Sequence, residues 1–226
     1  MREIVIDTET TGLNFRSGDR IIEVGCVELI NHVSTSNTLQ FYCKTDKEIS
    51  ESAKKVSGIS NEFLKDKKTF EENHQDLLSF IKNDVLIIHN SDFDMGFLNN
   101  ELSIIGKPPL KNKVIDTVSL ARKVLNTRIA NLDYLCRRFN IDLSERKLHG
   151  ALLDSRLLAE VYLELRGGKQ FSMDLNQKEL KKDSNKKTKL NSPSKTTKLQ
   201  PTPEDIRLHK EMIKDIKDAF WNKNLY

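Results

Sequence analysis

Three stretches crowded into the first 43 residues, Glu3–Asp7, Ile21–Ile30 and Thr38–Cys43, are short and rich in Val, Ile, Leu and Phe, with the turn formers Gly12, Gly18 and Asn31 between them. Such runs read as strands, and three in succession predict an antiparallel start to a sheet. Helical patterns then alternate with a strand at Val85–His89 and a weaker one around Val114, Ile115 and Asp116. That order predicts a mixed α/β sheet with covering helices. Apolar residues at Leu152, Leu153, Leu157, Leu158, Val161, Tyr162 and Leu165 form a helical stripe over 150–165, ended by Gly167 and Gly168, that should pack on the sheet.

The 226 residues suffice for one domain plus a tail, and the 37% of hydrophobic residues is below the globular norm because the deficit lies near the C-terminus. Asn176–Gln200 holds eight Lys against one Glu and one Asp, whereas residues 1–175 carry 24 basic and 26 acidic residues. The overall charge of +4 therefore comes from the segment 176–202, which reads as a flexible tether too polar to form a core. It is no argument for a nucleic-acid-binding face on the folded part. Beyond it, Thr202, Pro203, Glu204 and Asp205 signal a helix start, and Leu208, Met212, Ile213, Ile216, Ala219 and Phe220 fall on one side. Cys26, Cys43 and Cys136 are odd in number and widely spaced, which predicts neither a disulfide framework nor a zinc site and fits a reduced cytoplasm. The N-terminal run is too short for a membrane span or a signal peptide.

The chemistry is predicted where strands end. Asp7 and Glu9 follow Ile4-Val5-Ile6, and residues two apart on a strand point to one face, so both carboxylates can face a single metal. An isolated pair of this kind is more often a solvated strand end. The second acidic site changes the odds: Asp92 and Asp94 follow the strand at Val85–His89 and lead into a helix at Met95–Leu102. Asp92 is the better capping candidate and Asp94 the better ligand candidate. In the third site, His149 and Asp154 would lie about 140° apart on a continuous helix, so to act together His149 must lie on a loop, with Gly150 as the joint. Four carboxylates and a histidine at element ends suit phosphodiester hydrolysis, with two Mg²⁺ or Mn²⁺ ions and with His149 accepting the proton of the attacking water.

These residues resemble the DEDDh exonucleases. Asp7-Thr8-Glu9-Thr10-Thr11-Gly12 is similar to their first motif, His89-Asn90 with Phe93-Asp94 to the second, and His149 with Asp154 to the third. The segments Arg20–Gly25, Asp116-Thr117 with Leu120-Ala121-Arg122, and Leu148–Asp154 resemble the proofreading branch that serves bacterial replicative polymerases, and the likeness covers Met1–Met173. It implies a ribonuclease H-like fold, metal ligands Asp7, Glu9, Asp94 and Asp154, His149 as general base, Thr10 and Ser57 near the substrate, and single-stranded or frayed DNA 3′ ends as substrate. Asp116 also matches the pattern, and a supporting role is expected for it rather than ligation. Where the family usually has a histidine, this chain has Ser57 within Val56-Ser57-Gly58-Ile59. Altered grip on DNA is expected there, with Ser57→Ala changing affinity more than turnover.

Gln170-Phe171-Ser172-Met173-Asp174-Leu175 resembles the short peptide by which bacterial proteins bind the sliding clamp, with Met173 and Leu175 entering an apolar pocket. In the family the tail binds the polymerase alpha subunit, and Ile213, Ile216, Phe220 and Trp221 are the residues expected at that contact. The domain division that follows is 1–175, 176–202 and 203–226. Two rival readings remain at this stage, an RNA-trimming nuclease of the same family and a non-catalytic scaffold joining clamp and polymerase.

Overall fold

A computed structural model describes residues 1–146, 148–167 and 202–213. Five strands form one sheet in the order β3-β2-β1-β4-β5: β1 Arg2–Thr10, β2 Ile21–Ile30, β3 Val33–Tyr42, β4 Val85–Ile88 and β5 Val114–Asp116. The first three run antiparallel, while β4 pairs parallel to β1 and β5 parallel to β4. The helices are α1 Glu51–Ser57, α2 Asn61–Leu64, α3 Phe70–Ile81, α4 Ser91–Ile104, α5 Thr117–Leu125, α6 Leu132–Arg138, α7 Ala151–Leu165 and α8 Pro203–Ile213.

Alternation along β1 sorts the two layers. Ile4 and Ile6, with Val24, Cys26, Leu86 and Ile88, pack under α3 and α4 through Leu77, Ile81, Phe97 and Leu98. Val5, with Val27, Leu29 and Ile87, packs under α5, α6 and α7 through Ala121, Leu135, Leu158, Val161 and Tyr162. Each fully buried Val, Leu, Ile or Phe among them stabilises the fold by about 1.5–3 kcal/mol relative to exposure. A smaller cluster of Ile22, Ile49, Ile59 and Leu64 seats α1 and α2.

Three expectations change. The third strand begins at Val33, not Thr38, because the polar stretch at 33–37 lies on the sheet edge, where exposed residues still complete the ladder with β2. The first strand runs from Arg2 to Thr10 rather than ending at Asp7, so Glu9 as well as Asp7 lies within it. The helix expected at Met95 starts at Ser91 behind Asn90, whose left-handed backbone (φ 67°) turns the chain out of β4. Asp92 is therefore not its cap; it lies inside the first turn, and Asn90 makes no side-chain cap bond.

Contacts divide the chain into two units, Met1–Asp174 and Leu175–Tyr226. In the second, α8 opens as its sequence predicts: Thr202 Oγ1 accepts the Asp205 amide at 3.2 Å, and the Asp205 carboxylate accepts the Thr202 amide at 2.9 Å.

Candidate active site

Parallel pairing of β1 and β4 brings their C-terminal ends to one edge of the sheet, and α7 starts at the same edge. Odd-numbered residues of β1 face α7, so Asp7 and Glu9 point towards Asp154 in its first turn. Thr8 points to the other face, where its hydroxyl donates to Asp94 Oδ1 at 2.7 Å from the start of α4. The helix can approach this closely because Asp7 lies opposite Gly25 on β2: a Cβ at Gly25 would stand 2.2 Å from the backbone of Ala151 and Leu152. Ser155 fixes the contact by donating to the Gly25 carbonyl at 2.9 Å.

Asp7, Glu9, Asp94, His149 and Asp154 thus line one cleft of about 330 Å³, together with Thr8, His89, Phe93, Asn131, Leu132, Asp133 and Arg146. His149 lies on the loop before α7, with Gly150 extended as the N-terminal joint. Its amide donates to the Val56 carbonyl at 3.0 Å, which ties the loop to the end of α1. Glu9, His149 and Asp154 each offer a ligand atom within 4.8 Å of the others. Asp116 caps α5 through the amides of Val118 and Ser119 and also accepts the Asn90 amide at 3.0 Å, so it shapes the turn carrying the second acidic site.

Burial first, and then the charges of Asp94, Asp154, Glu9 and Glu23, hold the Asp7 carboxyl well above the usual carboxylate range. Burial followed by Asp154, Glu23 and Asp94 pushes Glu9 up to about 8, with Arg146 opposing. Burial lifts Asp94 to about 7 against the hydrogen bonds from Thr8. Burial also lowers the pKa of His89 at the cleft wall, although Asp116 opposes it. The cleft therefore holds more negative charge than its residues neutralise. Hard oxygen donors crowded in this way fit a divalent cation, which would remove the repulsion that raises their pKa values.

Two predicted substrate residues are placed differently. Thr10 donates to the Gly12 carbonyl at 2.6 Å and borders a neighbouring hollow of about 280 Å³ that includes Leu13, Val56 and Phe93. Ser57 is turned inward at 8% exposure: its hydroxyl donates to the Ala53 carbonyl at 3.0 Å and accepts the Ile59 amide at 3.2 Å. The structure does not bring Ser57 to the acidic cleft, and Val56 borders the hollow in its place. Gln170, Met173, Leu175, Ile216, Phe220 and Trp221 lie outside the described residues, as does the side chain of Ile213 at the end of α8.

Sequence reasoning missed Arg146, Asp133 and Glu23. Arg146 donates to both oxygens of Asp154, at 2.6 and 2.7 Å, and to Asp133. Glu23, 1% exposed, faces Glu9 across the β1–β2 ladder and accepts from Gln40 at 2.7 Å. Strand pairing could have found Glu23, since the two early strands set its register. No local pattern marks Arg146, three residues before His149.

The exonuclease family model RNase_T matches residues 4–162. The chain is 42% identical over 222 residues to the DNA polymerase III subunit epsilon of Rickettsia felis, covering 96% of this chain and 97% of that one. It is 39% identical over 223 residues to the subunit of the same name from Escherichia coli K12, covering 94% and 92%. Among solved structures, the nuclease domain of 3'hExo, a DEDDh family member bound to rAMP, superposes with a TM-score of 0.65 at 20% identity over 73% of this chain and 91% of that one. This likeness shows the fold, a mixed sheet of the ribonuclease H-like kind.

Proposed function

The chain belongs to the RNase_T exonuclease family, and we propose that it serves as the 3′→5′ proofreading exonuclease of a bacterial DNA polymerase III, the part played by epsilon subunits. The observation that carries this reading is identity near 40% along almost the whole length of two epsilon subunits. The convergence of four carboxylates and a histidine in one cleft supports it. The reaction hydrolyses the 3′-terminal phosphodiester of a single-stranded or frayed DNA end and releases deoxynucleoside 5′-monophosphates.

The family depends on divalent metal, and two Mg²⁺ or Mn²⁺ ions would supply Lewis-acid activation of water and neutralisation of phosphate and leaving oxygen. Asp7, Glu9, Asp94 and Asp154 would hold them. His149, exposed at the cleft mouth, takes the proton of the attacking water at Nε2. Thr8 keeps the Asp94 carboxylate aimed into the cleft by its hydrogen bond. Thr10 and the hollow beside it receive the terminal nucleotide, and Ser57 acts on grip through the end of α1 rather than by direct contact.

The tail is the docking device in this reading. Gln170, Met173 and Leu175 engage the sliding clamp, and Ile213, Ile216, Phe220 and Trp221 bind the polymerase III alpha subunit. The segment 176–202, which lies almost wholly outside the described residues, keeps the nuclease at high effective concentration near the primer end in this reading. The setting is the bacterial cytoplasm, where the chromosome is copied, and no helix among the described residues is long and apolar enough to cross a membrane.

The test is digestion of a 5′-labelled single-stranded DNA and its RNA counterpart, with Mg²⁺ or with EDTA, by the full chain and by His149→Ala. Stepwise 3′ shortening of DNA that needs both metal and His149 is expected. Preference for RNA would make it an RNA-trimming nuclease, and cleavage of neither would leave a scaffold.

A further inference from the structure

Among the described residues, one arginine or lysine enters the acidic cleft, Arg146. The Arg146 side chain is 7% exposed, grips Asp154 with two N–H groups at 2.6 and 2.7 Å, and reaches Asp133 with Nη1. Its Nη2 also lies 2.9 Å from His149 Nδ1. A guanidinium has only donors, so in this contact Nδ1 is the acceptor. A neutral imidazole that accepts at Nδ1 carries its hydrogen on Nε2. In this arrangement neither ring nitrogen can take a proton from water, and both oxygens of Asp154 are already engaged.

We propose that Arg146 is a positioning residue that takes the place of the divalent cation in the metal-free protein, holding Asp154 and His149 out of use together until metal displaces it. The inference rests on the nuclease reading above. Three observations fit the exchange. Arg146 neutralises the carboxylate that the metal needs, so the two cations compete for Asp154. Asp133, on the first turn of α6 and 43% exposed, already accepts from the guanidinium and gives it somewhere to remain after it leaves Asp154. Finally, His149 Nδ1 lies 3.1 Å from Asp154 Oδ2, an acceptor that favours the Nδ1–H tautomer once Arg146 has gone. That tautomer leaves Nε2 empty. Loading the site and arming the base are then a single event.

The experiment titrates Mn²⁺ alone into the full chain and into Arg146→Gln and Arg146→Lys, by calorimetry and by melting, and follows the His149 ring nitrogens by NMR. Arg146→Gln is expected to bind Mn²⁺ more tightly by about tenfold, the factor expected if the arginine-closed form makes up about nine-tenths of metal-free molecules. It should melt lower in EDTA yet gain more from Mn²⁺. Wild-type His149 should show the Nε2–H tautomer without metal and the Nδ1–H tautomer with it, whereas the Gln variant should lack this switch. Should Arg146→Gln not fold, Arg146→Lys carries the test, because it keeps the charge but loses the fork and should bind Mn²⁺ with intermediate affinity. Affinity unchanged or weakened in both variants, or a metal-insensitive tautomer, overturns the inference and leaves the nuclease reading standing. Failure of wild type and variants alike to bind Mn²⁺ overturns both.

Discussion

The two ends of β1 put carboxylates on the same face of the same strand, under the same helix, with opposite results. Glu3 at the first end is fully buried, with the Tyr162 hydroxyl donating to it at 2.8 Å and His32 Nδ1 at 2.6 Å. Asp7 and Glu9 at the other end face Asp94, Asp154 and Glu23, and among the described residues Arg146 is the cation that enters their cleft. Strand and face are shared; Glu3 is closed off completely while Asp7 and Glu9 are half-buried at a cleft, and what separates them further is the company each carboxylate keeps. A buried acid surrounded by hydrogen-bond donors holds α7 to the sheet. Half-buried acids surrounded by acids are costly to the fold and remain because they bind something.

The sharpest way to break this comparison is to neutralise one acid at each end. Asp7→Asn should lower exonuclease turnover by more than about 100-fold, since even the outer partners of metal ligands are worth about 10–100-fold. In EDTA it should melt no lower than wild type, because a repulsion has been removed. Glu3→Ala should do the reverse: it leaves Tyr162 and His32 without their acceptor, costs about 1–3 kcal/mol, and keeps most of the activity. If Asp7→Asn unfolds the protein, or Glu3→Ala abolishes cleavage, the two ends are not the two kinds of site described here.

A second change tests whether spacing, and not charge alone, separates the ends. Gly25→Ala would drive a methyl into the backbone of Ala151 and Leu152, lifting the start of α7 while leaving Tyr162 and Glu3 at its far end in contact. The expected result is a loss of about 1–3 kcal/mol in stability. A displacement of about 1 Å at Asp154 lowers turnover by up to about 100-fold. Wild-type kinetics in this variant would show that the close approach is dispensable.

The smallest effect is electrostatic. Glu9, raised from 4.5 to about 8, and Asp94, raised from 3.8 to about 7, hold protons more tightly folded than unfolded. Their contribution to stability is full below the unfolded values and is lost as pH rises through the folded ones. In EDTA the melting temperature should therefore fall between about pH 5 and pH 8, and Mn²⁺ should flatten the slope by neutralising the cleft. A metal-free melting temperature that is flat or rises across that window would contradict the crowding described for this end of β1.

Much of the fold was legible because burial writes itself into sequence as Val/Ile runs and helical stripes. Ile21–Ile30 matches its expected limits, and α7 differs only by having Gly150 as its joint. The polar start of β3 was not legible, because an edge strand is held by backbone pairing that leaves no apolar trace. Asp92 misled as a helix cap because the left-handed turn at Asn90 depends on the Asp116 carboxylate, 26 residues on, accepting the Asn90 amide. In the cleft, acids that follow strands are visible from spacing. The arginine that answers them is visible only after α6, α7 and β1 have come together.

The parallel pairing of β1 with β4 also has a consequence for the order of folding. The β1–β2–β3 meander can form from neighbouring segments, and it gathers Asp7, Glu9 and Glu23 only. Asp94 arrives with the crossover that pairs β4 to β1, and Asp154 with the docking of α7 on Gly25. Contacts so distant in sequence form slowly and late. The mutual repulsion of the site is thus deferred until both apolar layers are closing around the sheet, so that the chain meets its most unfavourable charges when it has the most buried surface to set against them.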